Sequence, residues 1–229
     1  MSSWVVSKGA EASVPVHGLS ARFPVHRIYC IGRNYSEHAK EMGSVATPED
    51  PIFFMKPADA VVTDGADVPY PQATTDLHHE LELVLALAGG GRDLDASSAR
   101  AAVYGYALGI DLTRRDLQAK AKAKGAPWDV AKGFDASAPI AAIQPIGMTG
   151  WLAQGSMQLL VNGQVRQQVD IADMVLPPER ILMALSRLYT LQPGDLIFTG
   201  TPAGVAALKA GDVCEANMAG LPSLRATIV

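Results

Sequence analysis

The sequence predicts an α+β, β-rich fold: a mixed-sheet roll or sandwich with a few peripheral helices. Three observations predict it. The 229 residues include 21 glycines and 15 prolines, scattered as punctuation that favours many turns and short strands. Leu81, Leu83, Leu85 and Leu87 alternate with Glu80, Glu82, Val84 and Ala86, a period of two that marks a strand. Asn162-Gly163 lies between two apolar runs, the strongest short-range signal for a hairpin with a type I′ turn.

Taken in order, Arg27-Ile-Tyr-Cys-Ile is a short apolar strand that Gly32 ends. Residues 34–42 suit a helix stopped by Gly43, and 44–50 a polar loop. Ile52-Phe-Phe-Met is the next strand, stopped at Lys56-Pro57. In 79–87 the strand period opposes the helix propensity of Glu, Leu and Ala, and the period is followed here. Gly89-Gly-Gly closes that segment. Asp95 is the N-cap of a helix running to about residue 103. A strand is expected over 104–113, then a helix over 116–124 closed by Gly125. Strands over 157–161 and 164–169 flank the hairpin turn. Pro178 occupies the first position of a helix reaching Leu188. Strands at 196–199, 213–218 and 224–229 complete the chain.

Composition excludes several classes. Hydrophobic residues at 48% and charged residues at 18% are globular values. Lys plus Arg is 19 against 23 Asp plus Glu, a net charge of −4, which gives neither a nucleic-acid footprint nor a polybasic pull toward lipid. Trp4, Trp128 and Trp151 are too scattered for a base-stacking platform. Cys30 and Cys214 are too few for a disulfide framework or a cysteine zinc site. Residues 1–20 lack a signal-peptide pattern, and no apolar run approaches 18 residues. A cytoplasmic protein is expected, without nucleic-acid or membrane partners. No repeat or linker stands out, so we expect one domain over 25–229 with a 1–24 extension packed on it. Dinucleotide, Walker, nucleophile-elbow and zinc-protease motifs are absent.

Three constellations carry chemistry. On a strand, Glu80 and Glu82 point to one face, about 7 Å apart. Facing inward they would repel unless a cation joined them. Asp111 ends the apolar run over 104–110 and, if buried, also needs a partner. Three carboxylates without cysteine suit a hard divalent ion, Mg²⁺ first, with Mn²⁺ or Ca²⁺ possible. The same spacing fits a solvent-facing Glu-x-Glu edge and an unrelated Asp. His38 and Glu41 share a helix face. The carboxylate would orient the imidazole as a general base, or the pair is a surface contact. Arg115 and Gln118 share the face of a helix that begins just past Asp111. The guanidinium there suits a substrate carboxylate, or a solvated face shared with Lys120, Lys122 and Lys124. Lys132 sits in the turn-rich Ala131-Lys-Gly-Phe-Asp, and Gly200-Thr201-Pro202 offers a hydroxyl and backbone N–H groups at a strand end. Arg33 and the 44–50 loop are candidates for a distal substrate carboxylate.

Five stretches, in order, resemble the fumarylacetoacetate hydrolase family. They are Ile28-Tyr-Cys-Ile-Gly-Arg-Asn-Tyr-Ser-Glu-His-Ala-Lys-Glu-Met-Gly43, His79-Glu-Leu-Glu-Leu83, Gly109-Ile-Asp-Leu-Thr-Arg-Arg-Asp116, Ala131-Lys-Gly-Phe-Asp135 and Phe198-Thr-Gly-Thr-Pro202. Residues 22–35 are most similar to the bacterial fumarylpyruvate hydrolases of gentisate breakdown. The resemblance implies the family's mixed-sheet roll and a homodimer. It implies that Glu80, Glu82 and Asp111 hold Mg²⁺ or Mn²⁺ and that His38 and Glu41, on a short lid helix, activate water. It implies that Lys132 and Thr201 stabilise an enolate, and that Arg115, Gln118 and Tyr35 contact substrate. The implied activity is hydrolysis of an acylpyruvate, with fumarylpyruvate giving fumarate and pyruvate. Oxaloacetate decarboxylation and 2-hydroxymuconate-type isomerisation or decarboxylation use the same metal site and stay open, with a non-catalytic keto-acid-binding domain ranked last.

Overall fold

The computed structural model describes residues 5–7, 9–43, 45, 47–63 and 65–229. Trp4, and Ser44 and Ala46 of the expected 44–50 loop, lie outside the described residues. The architecture is the β-rich roll that the patterning predicts. A central sheet has the strand order Gln144–Pro145, Val103–Ile110, Leu81–Leu87, Asp195–Phe198, Arg27–Gly32, Ile52–Lys56. Its pairs are antiparallel except Asp195–Phe198 beside Arg27–Gly32. That parallel pair is pinned where it begins. The buried Asp195 accepts from Arg27 Nε at 3.0 Å, Arg27 Nη2 at 2.8 Å and Gln192 N at 2.9 Å, with His26 Nδ1 also at 2.9 Å.

A second, antiparallel sheet runs Gln164–Asp170, Ser156–Val161, Val213–Met218, Leu224–Thr227. Its first hairpin turns at Asn162 and Gly163, whose φ values of 52° and 75° are those of the expected type I′ turn. The leucine stripe of Leu81–Leu87 packs between the two sheets, against Leu159, Ala216 and Ile181, Leu182 and Leu185 of the helix Pro178–Leu188. Each such leucine contributes about 1.5–3 kcal/mol of burial. The opposite face of the strand is covered as well. Val84, Ala86 and Phe198 pack on Val14, Phe23 and Ile143, the first two of these from the short N-terminal hairpin Ser13–Pro15 and Arg22–Pro24. Every residue of Leu81–Leu87 is therefore buried, its one charged side chain Glu82 included.

Four elements depart from the expected bounds, and the larger shifts follow from long-range partners. The helix over 34–42 is only Ser36–Glu41. The Asn34 side chain is spent on Leu176 and Thr199, and Tyr35 is extended and bridged to Met174, so neither joins the helix. The strand over 104–113 stops at Ile110. Asp111 N turns aside to donate to Glu80 O at 2.8 Å, and Thr113–Arg114 joins a separate three-stranded sheet with Leu77–His78 and Ala207–Leu208. The strand over 79–87 begins at Leu81, which leaves Glu80 just before it. The last strand ends at Thr227, not Val229. Asp95 caps Ala96–Ala102 by accepting from Ser98 N at 2.7 Å, and Gly125 closes Arg115–Lys124 with φ 61°. Among the described residues no helix is long and apolar enough to cross a membrane. Cys30 and Cys214 are buried and unbonded to each other.

Gly109 sits opposite Glu82 in the Leu81–Leu87 and Val103–Ile110 ladder. A Cβ there would lie 2.6 Å from Phe198 Cε1 and 2.7 Å from Val84 Cγ2. Gly109→Ala should cost about 1–3 kcal/mol by overpacking and lower Tm. Gly147→Ala, with nothing within 4 Å of its Cβ, should stay within about 0.5 kcal/mol of wild type. Thermal denaturation of the two variants side by side checks this.

Candidate active site

The site forms where the Leu81–Leu87 strand begins and Val103–Ile110 ends. Their pairing, extended by the Asp111 N to Glu80 O bond, brings Glu80, Glu82 and Asp111 together, all buried, with one carboxylate oxygen of each within 4.8 Å of the others. Three cations surround them. Lys132 Nζ lies 2.8 Å from Glu80 Oε2 and 2.7 Å from Asp111 Oδ2. Lys56 Nζ lies 2.8 Å from Asp111 Oδ1, without the angle of a hydrogen bond, and donates to the backbone carbonyls of Leu112 and Lys132. Arg115 Nη2 donates to Glu80 Oε1.

Glu82 differs from its neighbours. Its Oε2 accepts from Gly200 N at 2.7 Å, and among the described residues no basic side chain pairs with it. Burial, then the charges of Asp111 and Glu80, push its carboxyl well above the usual carboxylate range. Burial would raise Glu80 too, but Lys132 and Arg115 outweigh it and hold that group well below the range. Asp111 and Glu80 likewise hold the Lys132 ammonium up against its own burial. A buried carboxylate without a cation is costly, and three hard oxygen donors converging on one point are the donor set of Mg²⁺ or Mn²⁺. The residues therefore fit a divalent cation.

The helix Ser36–Glu41 brings His38 to the same cleft as Glu80, Lys132 and Thr201. Glu41 Oε2 lies 3.2 Å from His38 Nδ1. The same carboxylate accepts from Gly204 N, at 3.2 and 3.3 Å to its two oxygens, so the loop after Thr201 holds the residue that orients the imidazole. Burial pushes the His38 pKa below its ordinary value, against the pull of Glu80 and Glu41, which keeps the ring neutral at neutral pH and able to accept a proton.

The structure places the other sequence candidates as follows. Arg115 and Gln118 line the cleft from one face of the helix Arg115–Lys124, with Arg115 Nη1 donating to Gln118 Oε1 at 2.6 Å. Lys132 closes a one-turn helix, Asp129–Lys132, where the sequence suggests only turns. Thr201 Oγ1 lines the cleft and accepts from Gln167 Nε2 at 2.8 Å. Arg33 lines it from the end of Arg27–Gly32. Tyr35 does not: its ring is buried, its hydroxyl lacks a hydrogen-bond partner, and it borders a neighbouring cavity beside Pro202.

Sequence reasoning missed two groups. Lys56 looks like a strand stop, yet a lysine closing the apolar run Ile52-Phe-Phe-Met is the signal that could have marked a buried cation. Gln167 carries no signal. Its Oε1 accepts from Leu81 N at 2.9 Å and its Nε2 donates to Thr201 Oγ1 and Pro202 O, which ties the second sheet to the strand that carries Glu82.

The sequence model of the fumarylacetoacetate (FAA) hydrolase C-terminal domain matches residues 27–229. The chain belongs to the fumarylacetoacetate hydrolase family. Its fold is nearly superposable on a crystal structure of fumarylpyruvate hydrolase from Pseudomonas aeruginosa in complex with Mn²⁺ and pyruvate, at TM-score 0.96 and 41% identity over 99% of each chain. Curated relatives in the family carry other names. Oxaloacetate tautomerase FAHD1 of Arabidopsis thaliana is 39% identical over 87% of this chain and 89% of its own. The mitochondrial oxaloacetate decarboxylase of Dictyostelium discoideum is 39% identical over 85% and 89%.

Binding of Mn²⁺ to the native state should raise the Tm of the wild-type protein in proportion to the logarithm of its concentration. In Glu82→Gln the shift should disappear while the metal-free Tm is not lowered, because one of three clustered carboxylates has gone. Differential scanning fluorimetry with and without Mn²⁺ checks both.

Proposed function

We propose that this fumarylacetoacetate hydrolase family member is a divalent-metal-dependent acylpyruvate hydrolase, with fumarylpyruvate as its foremost substrate. The observation that carries the proposal is the His38–Glu41 pair facing, across one cleft, the carboxylate set that suits a divalent ion. Hydrolysis needs both a charge sink at a 2-oxo acid and a separate base for water. Mg²⁺ or Mn²⁺ held by Glu80, Glu82 and Asp111 would supply Lewis acidity to the carboxylate and 2-oxo oxygen of the substrate.

The chain's own groups do the rest. His38, with Nδ1 engaged by Glu41, takes a proton from water at Nε2. The water oxygen bonds to C4 of the 2,4-dioxo acid, and the C3–C4 bond breaks. Its electron pair leaves on C3 as the enolate of pyruvate, and C4 departs as the carboxylate of fumarate. The proton held by His38 returns to C3. Lys132 places a fixed positive charge where the enolate develops, which is commonly the larger catalytic contribution. Arg115, Gln118 and Thr201 orient the substrate within the cleft. The three cations Lys56, Lys132 and Arg115 already balance the three carboxylates, so a divalent ion leaves the site with a net positive charge that suits an anionic oxo acid.

The names of the curated relatives favour a second reading, oxaloacetate tautomerisation or decarboxylation on the same metal site. A tautomerase would use His38 to move a proton at carbon. A decarboxylase would form the enolate by losing CO₂ without attack of water.

Purified protein with Mn²⁺ should abolish the enol absorbance of fumarylpyruvate and release equal amounts of fumarate and pyruvate, and a chelator should stop it. Turnover of oxaloacetate alone would move the assignment to the second reading. His38→Ala should lower kcat by about 10²- to 10⁴-fold while the Mn²⁺-dependent rise in Tm persists; full activity in that variant would remove His38 as the base.

A further inference from the structure

We propose that Arg33 and Lys122 form a second carboxylate subsite at the outer end of the cleft, selecting 2-oxo acids with another carboxylate at the far end of a long chain. The inference rests on the 2-oxo acid reading above and adds the substrate's length and charge. Arg115, Gln118 and Lys122 follow one another along one face of the helix Arg115–Lys124, and all three line the cleft. At 1.5 Å rise per residue, Lys122 stands about 10 Å along the helix from Arg115, the residue that touches Glu80. The helix is thus a ruler laid beside the substrate, with the carboxylate triad at one end and a lysine at the other.

Two features hold the outer end in place. Lys122 Nζ sits over the Trp128 ring, 5.2 Å from its centroid. Trp128 in turn lies against Gly32, where a Cβ would come 3.6 Å from its Cζ3, so the lysine is held beside the residue that precedes Arg33. Arg33 has a φ of 61°, a left-handed conformation that costs a non-glycine residue free energy and is kept only where its surroundings enforce it. Asn34 enforces it: its Nδ2 donates to Leu176 O and Thr199 O, each at 2.9 Å, and its Oδ1 accepts from Leu176 N at 2.7 Å. The fixed turn aims Arg33 at the cleft. Among the described residues no acidic group pairs with Arg33 or Lys122. Burial, with the like charges of Arg115 and Arg33, pushes the Lys122 ammonium down to about 8. An anion between Arg33 and Lys122 relieves that repulsion.

Length then discriminates. An extended carbon chain advances about 1.2 Å per bond. The carboxyl carbons of a seven-carbon 2-oxo diacid stand about 7 Å apart and those of a four-carbon one about 4 Å. With side-chain reach added, the longer acid spans from the triad to Lys122 and the shorter does not.

The test uses probes that lack the 4-oxo group and so cannot undergo acylpyruvate hydrolysis. The full chain loaded with Mn²⁺ is titrated calorimetrically with 2-oxoglutarate, 2-oxoadipate, 2-oxoheptanedioate and the monoacid 2-oxoheptanoate. Affinity should rise with diacid length, and 2-oxoheptanedioate should bind tighter than 2-oxoheptanoate by about tenfold or more, the size of a charge-assisted pair. In Lys122→Gln that ratio should fall toward one, and in Arg33→Gln it should fall in the same direction. A wild-type ratio of one, or a ratio preserved in both variants, overturns the proposal. So does an equal loss for diacid and monoacid in Lys122→Gln, the mark of a merely structural lysine. A protein that shows the length series yet leaves fumarylpyruvate intact keeps the subsite and loses the hydrolase assignment.

Discussion

The mutual repulsion of Glu80, Glu82 and Asp111 is the constraint around which the site is organised. Three buried carboxylates within 4.8 Å of one another, where two strands packed in hydrophobic residues meet, would be intolerable as a bare anionic cluster. Lys56, Lys132 and Arg115 answer it from three different elements, and Glu82 is left to a backbone N–H. A site balanced in this way has little tolerance for losing Glu80 or Asp111, the carboxylates that the cations pair with. The same constraint accounts for the two buried lysines, whose ammonium groups converge on Asp111 with Lys56 Nζ over the Phe134 ring and Lys132 Nζ over the Phe54 ring.

The sheet serves that cluster by rigidity. Register across Leu81–Leu87 and Val103–Ile110 fixes Glu82 opposite Gly109, and the missing side chain at Gly109 lets Phe198 and Val84 close beneath the carboxylates. The neighbouring Asp195–Phe198 strand then delivers Gly200 and Thr201 to the cleft. Gln167, reaching from the second sheet, joins Leu81 to the Thr201 turn. The acidic and hydroxyl groups, with Lys56, thus hang on strand ends whose spacing is set by backbone ladders, while Lys132 and Arg115 reach in from helices.

Much of this was legible in the sequence because the signals are periodic or local. The alternation of Leu81 to Leu87 outweighed helix propensity, and the i, i+2 spacing put Glu80 and Glu82 on one face. Asn162-Gly163, Asp95, Pro178 and Gly125 each mark an element boundary by their own backbone chemistry. What was hidden depends on long-range partners. The helix bearing His38 starts two residues late because Asn34 bonds to Leu176 and Thr199, far along the chain. The break after Ile110 reflects the pairing of Asp111 with Glu80. Lys56 and Gln167 acquire their roles from strands that no local pattern connects to them. Tyr35 sits next to site residues in sequence, but its backbone is extended and bridged to Met174, and its buried side chain does not line the cleft.

His38, the proposed base, rides on a helix of six residues, Ser36–Glu41, too short to persist in water on its own hydrogen bonds. Its place is set by the side-chain bonds of Asn34 and Glu41 at its two ends, each contributing about 1 kcal/mol net, and by burial of His38 and Ala39. The sheet beneath is held by a far larger cooperative core. The molecule therefore has two separate stabilities. One is global and belongs to the roll. The other is local and governs only whether the imidazole is docked. On the proposed function, entry of an acid, exit of products and readiness of the base would then draw on a single small docking equilibrium that can shift without disturbing the carboxylates.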